Sequence, residues 1–182
     1  MEAAARVVHE QGAGRTTIAD IARAANVPVG NVYYYFKTKD ELVGAAISEQ
    51  ARGFRELAAE LDRLDDPRER LLRLVDGWLG QKERAARYGC PTGTLAAELD
   101  KRDEGGLDVE AGRVIRLLLD WVEAQFDAMG RPDAADLAVT LVGAYQGMSV
   151  LANALRDPEI MTREVRRLTA WLKELEPSPG SA

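Results

Sequence analysis

Apolar residues recur at three- and four-residue intervals along nearly the whole chain, and no segment alternates apolar and polar positions as a half-buried strand would. The pattern predicts an all-α protein of about nine helices. The first segment runs to Gln11 and stops at Gly12-Ala13-Gly14, a glycine-rich break. His9 lies near its C-terminal end, the place of a half-exposed helix histidine. Thr16 and Thr17 then precede Ile18, Ile21 and Ala22, and a threonine hydroxyl there can accept a backbone N–H at the start of a second, short helix. Asn26-Val27-Pro28 ends it, because Asn tolerates left-handed dihedrals and Pro opens the next helix at its first turn. A third short helix covers 29–36. Two short helices joined by a tight turn, with Ala22 and Ala25 allowing close approach, make a helix-turn-helix.

Thr38-Lys39-Asp40-Glu41 has the capping-box pattern and starts a long fourth helix, which Asp65-Asp66-Pro67 breaks. A fifth helix carries Leu71, Leu72, Val75, Trp78 and Leu79; 89–93 reads as a loop and 95–99 as a short sixth helix. Gly105-Gly106 separates that from a seventh, with Ile115, Leu118, Leu119, Val122, Phe126 and Met129 on one side. Gly130 ends it and Pro132 opens the eighth; Thr162 is the expected cap of the ninth, and 177–180 is an expected frayed tail. The eighth helix, 134–155, has no charged residue between Leu137 and Leu155. A helix apolar nearly all round is buried on several sides. The expectation is therefore a homodimer built on the eighth and ninth helices, with Val142 and Ser149 on the outward face.

Composition narrows the class. The 182 residues carry a net charge of −6, with 46% hydrophobic and 30% charged residues, an ordinary globular mix. No uninterrupted run of about 18 apolar residues and no charged-then-apolar leader is present, so no membrane partner is expected and a cytoplasmic location is. One cysteine, Cys90, and one histidine exclude an internal disulfide framework and argue against a Cys/His zinc site within the chain. No nucleophile or second ligand flanks His9 at helical spacing, so no catalytic residue, metal or cofactor is expected and the chain reads as no enzyme. Glu98 with Asp100, and Asp103 with Glu104, read as acids of a solvated helix.

The segment TTIADIARAANVPVGNVYYYFKTKDEL resembles the DNA-binding module of the TetR family of bacterial repressors, through Thr17, Ile21-Ala22, Ala25, Val27, Gly30, Val32-Tyr33, Tyr35-Phe36, Lys39 and Leu42 at the family's spacing. GCPTGTLAAEL resembles a loop-helix segment of one branch of that family. The resemblance implies a DNA-binding domain over 1–44 and a helical ligand-binding and dimerisation domain over 45–182. It implies a homodimeric repressor released from a palindromic, double-stranded operator by a small-molecule effector. The N-terminal half of the third helix holds Val29, Gly30 and Asn31. Asn31 can pair bidentately with adenine, Val29 can touch a thymine methyl, and Gly30 lets the backbone approach. Tyr33, Tyr34 and Tyr35 diverge by about 100° per position and cannot all be buried; a packed aromatic cluster is the alternative to their facing DNA. The resemblance implies that Tyr33 and Tyr35 touch DNA, with Tyr34 beside them, that Lys39 meets a phosphate, and that Thr17 both caps its helix and reaches a phosphate.

Residues 1–44 hold five basic and five acidic side chains, so one module alone should bind DNA weakly, and two linked modules gain through effective concentration. The basic stretch that usually precedes the family's first helix is not among these residues. In the remainder, Trp78, Tyr88, Trp121, Phe126, Tyr145 and Met148 offer large apolar surface, and Gln125 and Gln146 offer neutral hydrogen-bonding groups. A mainly apolar cavity with a few polar fixtures is the usual small-molecule site, which points to an apolar or aromatic effector; core packing is the alternative for each aromatic. Cys90 lies close to Arg87, and a nearby cation activates a thiol, so a redox- or electrophile-sensing repressor stands beside a buried structural cysteine.

Overall fold

The computed structural model describes residues 1–101 and 106–175, and among these it is helical without a strand. The elements are α1 (Glu2–Gln11), α2 (Ile18–Ala24), α3 (Val29–Tyr35), α4 (Lys39–Leu61), α5 (Pro67–Leu79), α6 (Lys82–Tyr88), α7 (Pro91–Leu99), α8 (Leu107–Ala128), α9 (Ala134–Leu155) and α10 (Glu159–Glu174). The all-α architecture with its helix-turn-helix is as the periodicity predicts. The additional element is α6, too short for a periodic signal, which buries Ala85 and Ala86 and packs on α9. Pro91 opens α7, so 91–93 are helical where the sequence reads as a loop. The tail over 177–180, the pair Asp103 and Glu104, and Gly105 lie outside the described residues.

Two compact units emerge. The first comprises Met1–Phe54 and Pro91–Ile115. Its core is built from Ala4, Val7 and Val8 of α1, Ile18, Ile21 and Ala22 of α2, Val32 of α3, Leu42, Val43, Ala46 and Ile47 of α4, and Leu95 and Leu99 of α7. His9 is buried rather than half-exposed, and of the two alanines expected at the crossing only Ala22 is buried; Ala25 lies on the surface. α2 begins with a reciprocal capping box: the Thr17 hydroxyl accepts the Asp20 N–H at 3.1 Å, and the Asp20 carboxylate accepts the Thr17 N–H at 3.0 Å. Asn26 takes the left-handed conformation at φ 55°, turning the chain toward α3. At the start of α4 the Thr38 hydroxyl accepts the Glu41 N–H, while the Glu41 carboxylate accepts the N–H of Lys37, one residue before the reciprocal partner the motif predicts.

The second unit comprises Arg55–Cys90 and the chain from Arg116 onward. Here α10 packs on α5 and α9, and α9 packs on α6. Leu71, Val75, Val122, Phe126, Leu141, Met161, Leu168 and Leu172 form its driest part. α10 begins a turn before the expected cap, because the Asp157 carboxylate accepts the Glu159 N–H at 2.9 Å; Thr162 lies inside the helix and accepts from Lys82 Nζ at 3.3 Å. Helix α9 has the length and composition of a membrane span, yet Ala138, Leu141, Val142, Met148, Ser149 and Ala152 are buried in the unit. Val142 and Ser149 therefore face inward, and the Ser149 hydroxyl donates to the Tyr145 carbonyl at 2.8 Å. The outward face is instead Val139, Val150, Leu151 and Leu155, exposed by 61%, 64%, 53% and 65%.

Gly12 terminates α1 at φ 81°, ψ 153°, a backbone region reserved almost wholly for glycine. A side chain there would also meet the Glu98 carboxylate at 2.9 Å. Gly12→Ala is expected to lower unfolding free energy in urea by about 1–3 kcal/mol. Gly30, where an added Cβ meets nothing within 4 Å, gives the opposite sign: Gly30→Ala should raise stability by up to about 1 kcal/mol.

Candidate functional site

Helix α3 is seven residues long, and Val32 is its buried residue. Val29, Gly30 and Asn31 are exposed, as are Tyr33, Tyr34 and Tyr35, at 51%, 73% and 74% for the tyrosines. The packed aromatic cluster considered as an alternative is not formed. Tyr34 and Tyr35 meet edge to face at 5.1 Å, out in solvent. Three successive tyrosines left in water waste apolar area that a monomer has every reason to cover. Beside them lie an amide, Asn31, and a glycine that the chain's own packing does not require.

The cations around α3 are held by backbone carbonyls. Lys37 Nζ donates to the carbonyls of Tyr33 at 2.9 Å and Tyr34 at 3.0 Å, and lies 5.6 Å from the Tyr34 ring centroid. It closes the C-terminal end of the helix, where a positive charge opposes the dipole. A lysine just past a helix end is the sequence signal for this role. Lys39 Nζ donates to the Gly14 carbonyl at 2.5 Å. An ammonium has three donors, so this bond leaves Lys39 able to serve a phosphate as well. Thr17 is the cap it was expected to be. Its hydroxyl also donates to the Asp20 carboxylate at 2.6 Å, and this bond, ahead of the backbone bond and Arg23, holds the Asp20 carboxyl below its usual range. A phosphate contact from Thr17 therefore requires its one hydroxyl proton to leave Asp20.

The residues proposed for an effector divide among several places within the second unit. Trp78 and Tyr145 stack at 4.4 Å with 21° between planes. Gln146 Nε2 donates to Cys90 Sγ at 3.6 Å. Burial, with Cys90 alongside, pushes the Tyr145 phenol well above its ordinary range. These four form one uncharged cluster. Trp121, Gln125 and Phe126 form another group: Trp121 Nε1 donates to Asp62 at 3.1 Å, and Gln125 accepts from Arg70 at 3.0 Å while donating to the Trp121 carbonyl at 3.1 Å. Phe126 is fully buried, edge to face with Trp171 at 6.0 Å. This second group is tied to Asp62 at the end of α4, to α5 and to α10 by these contacts. Tyr88 lies apart, under the Arg87 guanidinium at 5.1 Å. Met148 lines an open groove of about 340 Å³ with Ala144, Gly147, Leu151, Ile160, Arg163 and Glu164.

Cys90 is 95% covered by the protein, and the Arg87 guanidinium lies over the Tyr88 ring. The cation-activated thiol considered from the sequence finds no support in this arrangement. Among the described residues no three His, Cys, Asp or Glu side chains converge as metal ligands.

Residues 1–46 match the sequence model of bacterial regulatory proteins of the tetR family. Over 176 residues, 91% of this chain and 89% of its own, an HTH-type transcriptional regulator of Mycobacterium tuberculosis is 27% identical. The HTH-type transcriptional regulator TtgR of Pseudomonas putida is 47% identical over 47 residues, 26% of this chain and 22% of its own. A TetR transcriptional regulator of Legionella pneumophila has the same fold, with a TM-score of 0.82 at 19% identity over 93% of this chain and 92% of that one. Residues 1–46 thus carry the helix-turn-helix domain of the tetR family of bacterial regulatory proteins, and the chain as a whole shares its fold with solved TetR transcriptional regulators.

Proposed function

We propose that the protein is a homodimeric repressor that binds a palindromic double-stranded operator and leaves it when an apolar or aromatic small molecule binds. In this reading 1–44 is the DNA-binding domain and 45–182 the ligand-binding and dimerisation domain, and the protein works in the cytoplasm. The bare face of α3 carries the reading: Val29, Asn31 and three tyrosines stand exposed on a helix anchored through Val32. Such a helix enters a major groove with its first residues toward the base edges. Asn31 reads an adenine, Val29 meets a methyl group, Gly30 admits the backbone, and Tyr33, Tyr34, Tyr35 and Lys39 contact the sugar-phosphate backbone, with Thr17 at the start of α2. Selection from a random duplex pool tests the reading and should return an inverted repeat. Asn31→Ala is expected to cost about 1–3 kcal/mol at one operator position, whereas Lys39→Ala weakens all sequences alike and lowers the salt slope by about one. Anisotropy titrations at several salt concentrations separate the two. Undiminished binding by both Asn31→Ala and Tyr33→Ala would sink the assignment of α3.

The exposed Val139, Val150, Leu151 and Leu155 supply the dimer face, with the groove between α9 and α10 beside them. Stable pairs bury about 1,200–2,000 Å². Val150→Glu with Leu151→Arg should give a folded monomer by sedimentation at micromolar concentration. A persistent dimer would place the interface elsewhere.

For the effector, the uncharged cluster of Trp78, Tyr145 and Gln146 has the chemistry of a small-molecule site. A ligand shifts the equilibrium only by its difference in affinity between the DNA-competent and incompetent forms, and emptying the operator takes up to about 5.5 kcal/mol. Gln146→Leu keeps side-chain bulk and removes the amide. It should blunt release by effector while leaving operator affinity intact; loss of operator binding with normal effector affinity would count against the assignment.

A further inference from the structure

We propose that Glu98 is a positioning residue for DNA binding, a carboxylate on α7 that fixes where the helix-turn-helix begins. The inference rests on the DNA-binding reading of α3 given above. Glu98 reads in the sequence as one more solvated acid, yet it is half-buried. Its Oε2 accepts the Ala13 N–H at 2.9 Å and its Oε1 accepts the Gly14 N–H, across 85 and 84 residues of sequence. Successive N–H groups turned toward one point form a seat for an anion, and here the anion is the chain's own side chain. The glycines make room for it. A Cβ at Gly12 would lie 2.9 Å from one carboxylate oxygen, and one at Gly14 would lie 3.0 Å from the other.

The same short loop is held from its other side. Lys39 Nζ takes the Gly14 carbonyl, and the Thr16 hydroxyl donates to the Gly12 carbonyl at 2.7 Å. Gly14 thus has an anion on its N–H and a cation on its carbonyl, three residues before the cap of α2. The first turn of α7 is fastened too: Gln50 Nε2 donates to the Pro91 carbonyl at 3.4 Å, and the Thr92 hydroxyl donates to Gln50 Oε1 at 3.4 Å. Helix α7 is therefore a strut within the first unit, joined to α4 at Gln50 and to the α1–α2 loop at Glu98. Helices α2 and α3 follow directly from the loop it clamps. Glu98 touches no DNA in this scheme. It acts through Ala13, Gly14 and Lys39.

Charge supplies the discriminating sign. Removing an acid near DNA should by electrostatics alone tighten binding, because one repulsion with phosphate is lost. Loss of positioning weakens it. The experiment compares the full-length wild type, Glu98→Ala, Glu98→Gln and the exposed control Asp100→Asn on the selected operator. Affinity, salt slope, melting temperature and amide exchange at Ala13 and Gly14 are read for each. Glu98→Ala is expected to lose about tenfold in affinity, the equivalent of one charge-assisted hydrogen bond. Its salt slope should stay unchanged and exchange at the two amides should quicken. Glu98→Gln keeps one acceptor oxygen and should fall between; it carries the test if Glu98→Ala does not fold. Asp100→Asn should bind as wild type or slightly tighter. Equal or tighter binding by both Glu98 variants overturns the proposal while leaving the DNA-binding reading intact. A wild type that selects no duplex overturns both, and that failure shows in the wild type alone.

Discussion

A helix that must offer its side chains to a partner cannot also use them to hold itself in place. Helix α3 meets this constraint in its severest form, with seven residues and Val32 as the buried one. In water a helix of that length has too few hydrogen bonds to offset its nucleation cost. Its order is therefore borrowed. Asn26 and Pro28 aim the chain into it, and Lys37 closes its last carbonyls. The core beneath Ile18, Ile21 and Ala22 gives Val32 its seat. The Phe36 N–H closes the helix on the Val32 carbonyl. The rest of the first unit exists to fix a surface that contributes almost nothing to the unit's own stability.

The elements that carry this design were legible in the sequence because they rest on local rules. Thr17 caps because a hydroxyl three residues before an N–H reaches it, and Asn26 turns because its side chain tolerates a positive φ. What could not be read were the polar contacts between distant segments. Nothing in LAAELD distinguishes Glu98 from Asp100, yet one binds the Gly12–Gly14 loop and the other faces solvent. Gln125 reads as one neutral amide among several, yet Arg70, fifty-five positions earlier, donates to its oxygen. Periodicity reports which face is apolar; it is silent on which polar group has a partner.

The same limit explains the face of α9. Its sequence lacks charge on every side, so composition alone could not tell the inner stripe from the outer one. The structure resolves the ambiguity by burying Ala138, Leu141, Val142, Ser149 and Ala152, and by leaving Val139, Val150, Leu151 and Leu155 in solvent. Small residues lie between them, with Gly143 and Gly147 exposed. An apolar outer face interrupted by glycines leaves room for close approach of another helix, at some cost to the stability of α9 itself.

Both bare surfaces, α3 and the outer side of α9, are thus places where burial within one chain stops short of what the sequence would permit. They differ in what backs them. Behind α9 lies a thick apolar core with Leu141, Met161 and Leu168 fully buried. Behind α3 only Val32 reaches the apolar core, and polar contacts supply the rest of the support: a capping box, a lysine on two carbonyls, and a loop pinned by Glu98 and Lys39. Hydrogen bonds of that kind contribute about 1 kcal/mol each and, unlike apolar contacts, are lost outright when a donor moves by an ångström or so. A surface held by such a mount shifts at less cost than one set on a core. The polar mount of α3 gives the position a definite geometry while keeping the energy needed to change it small.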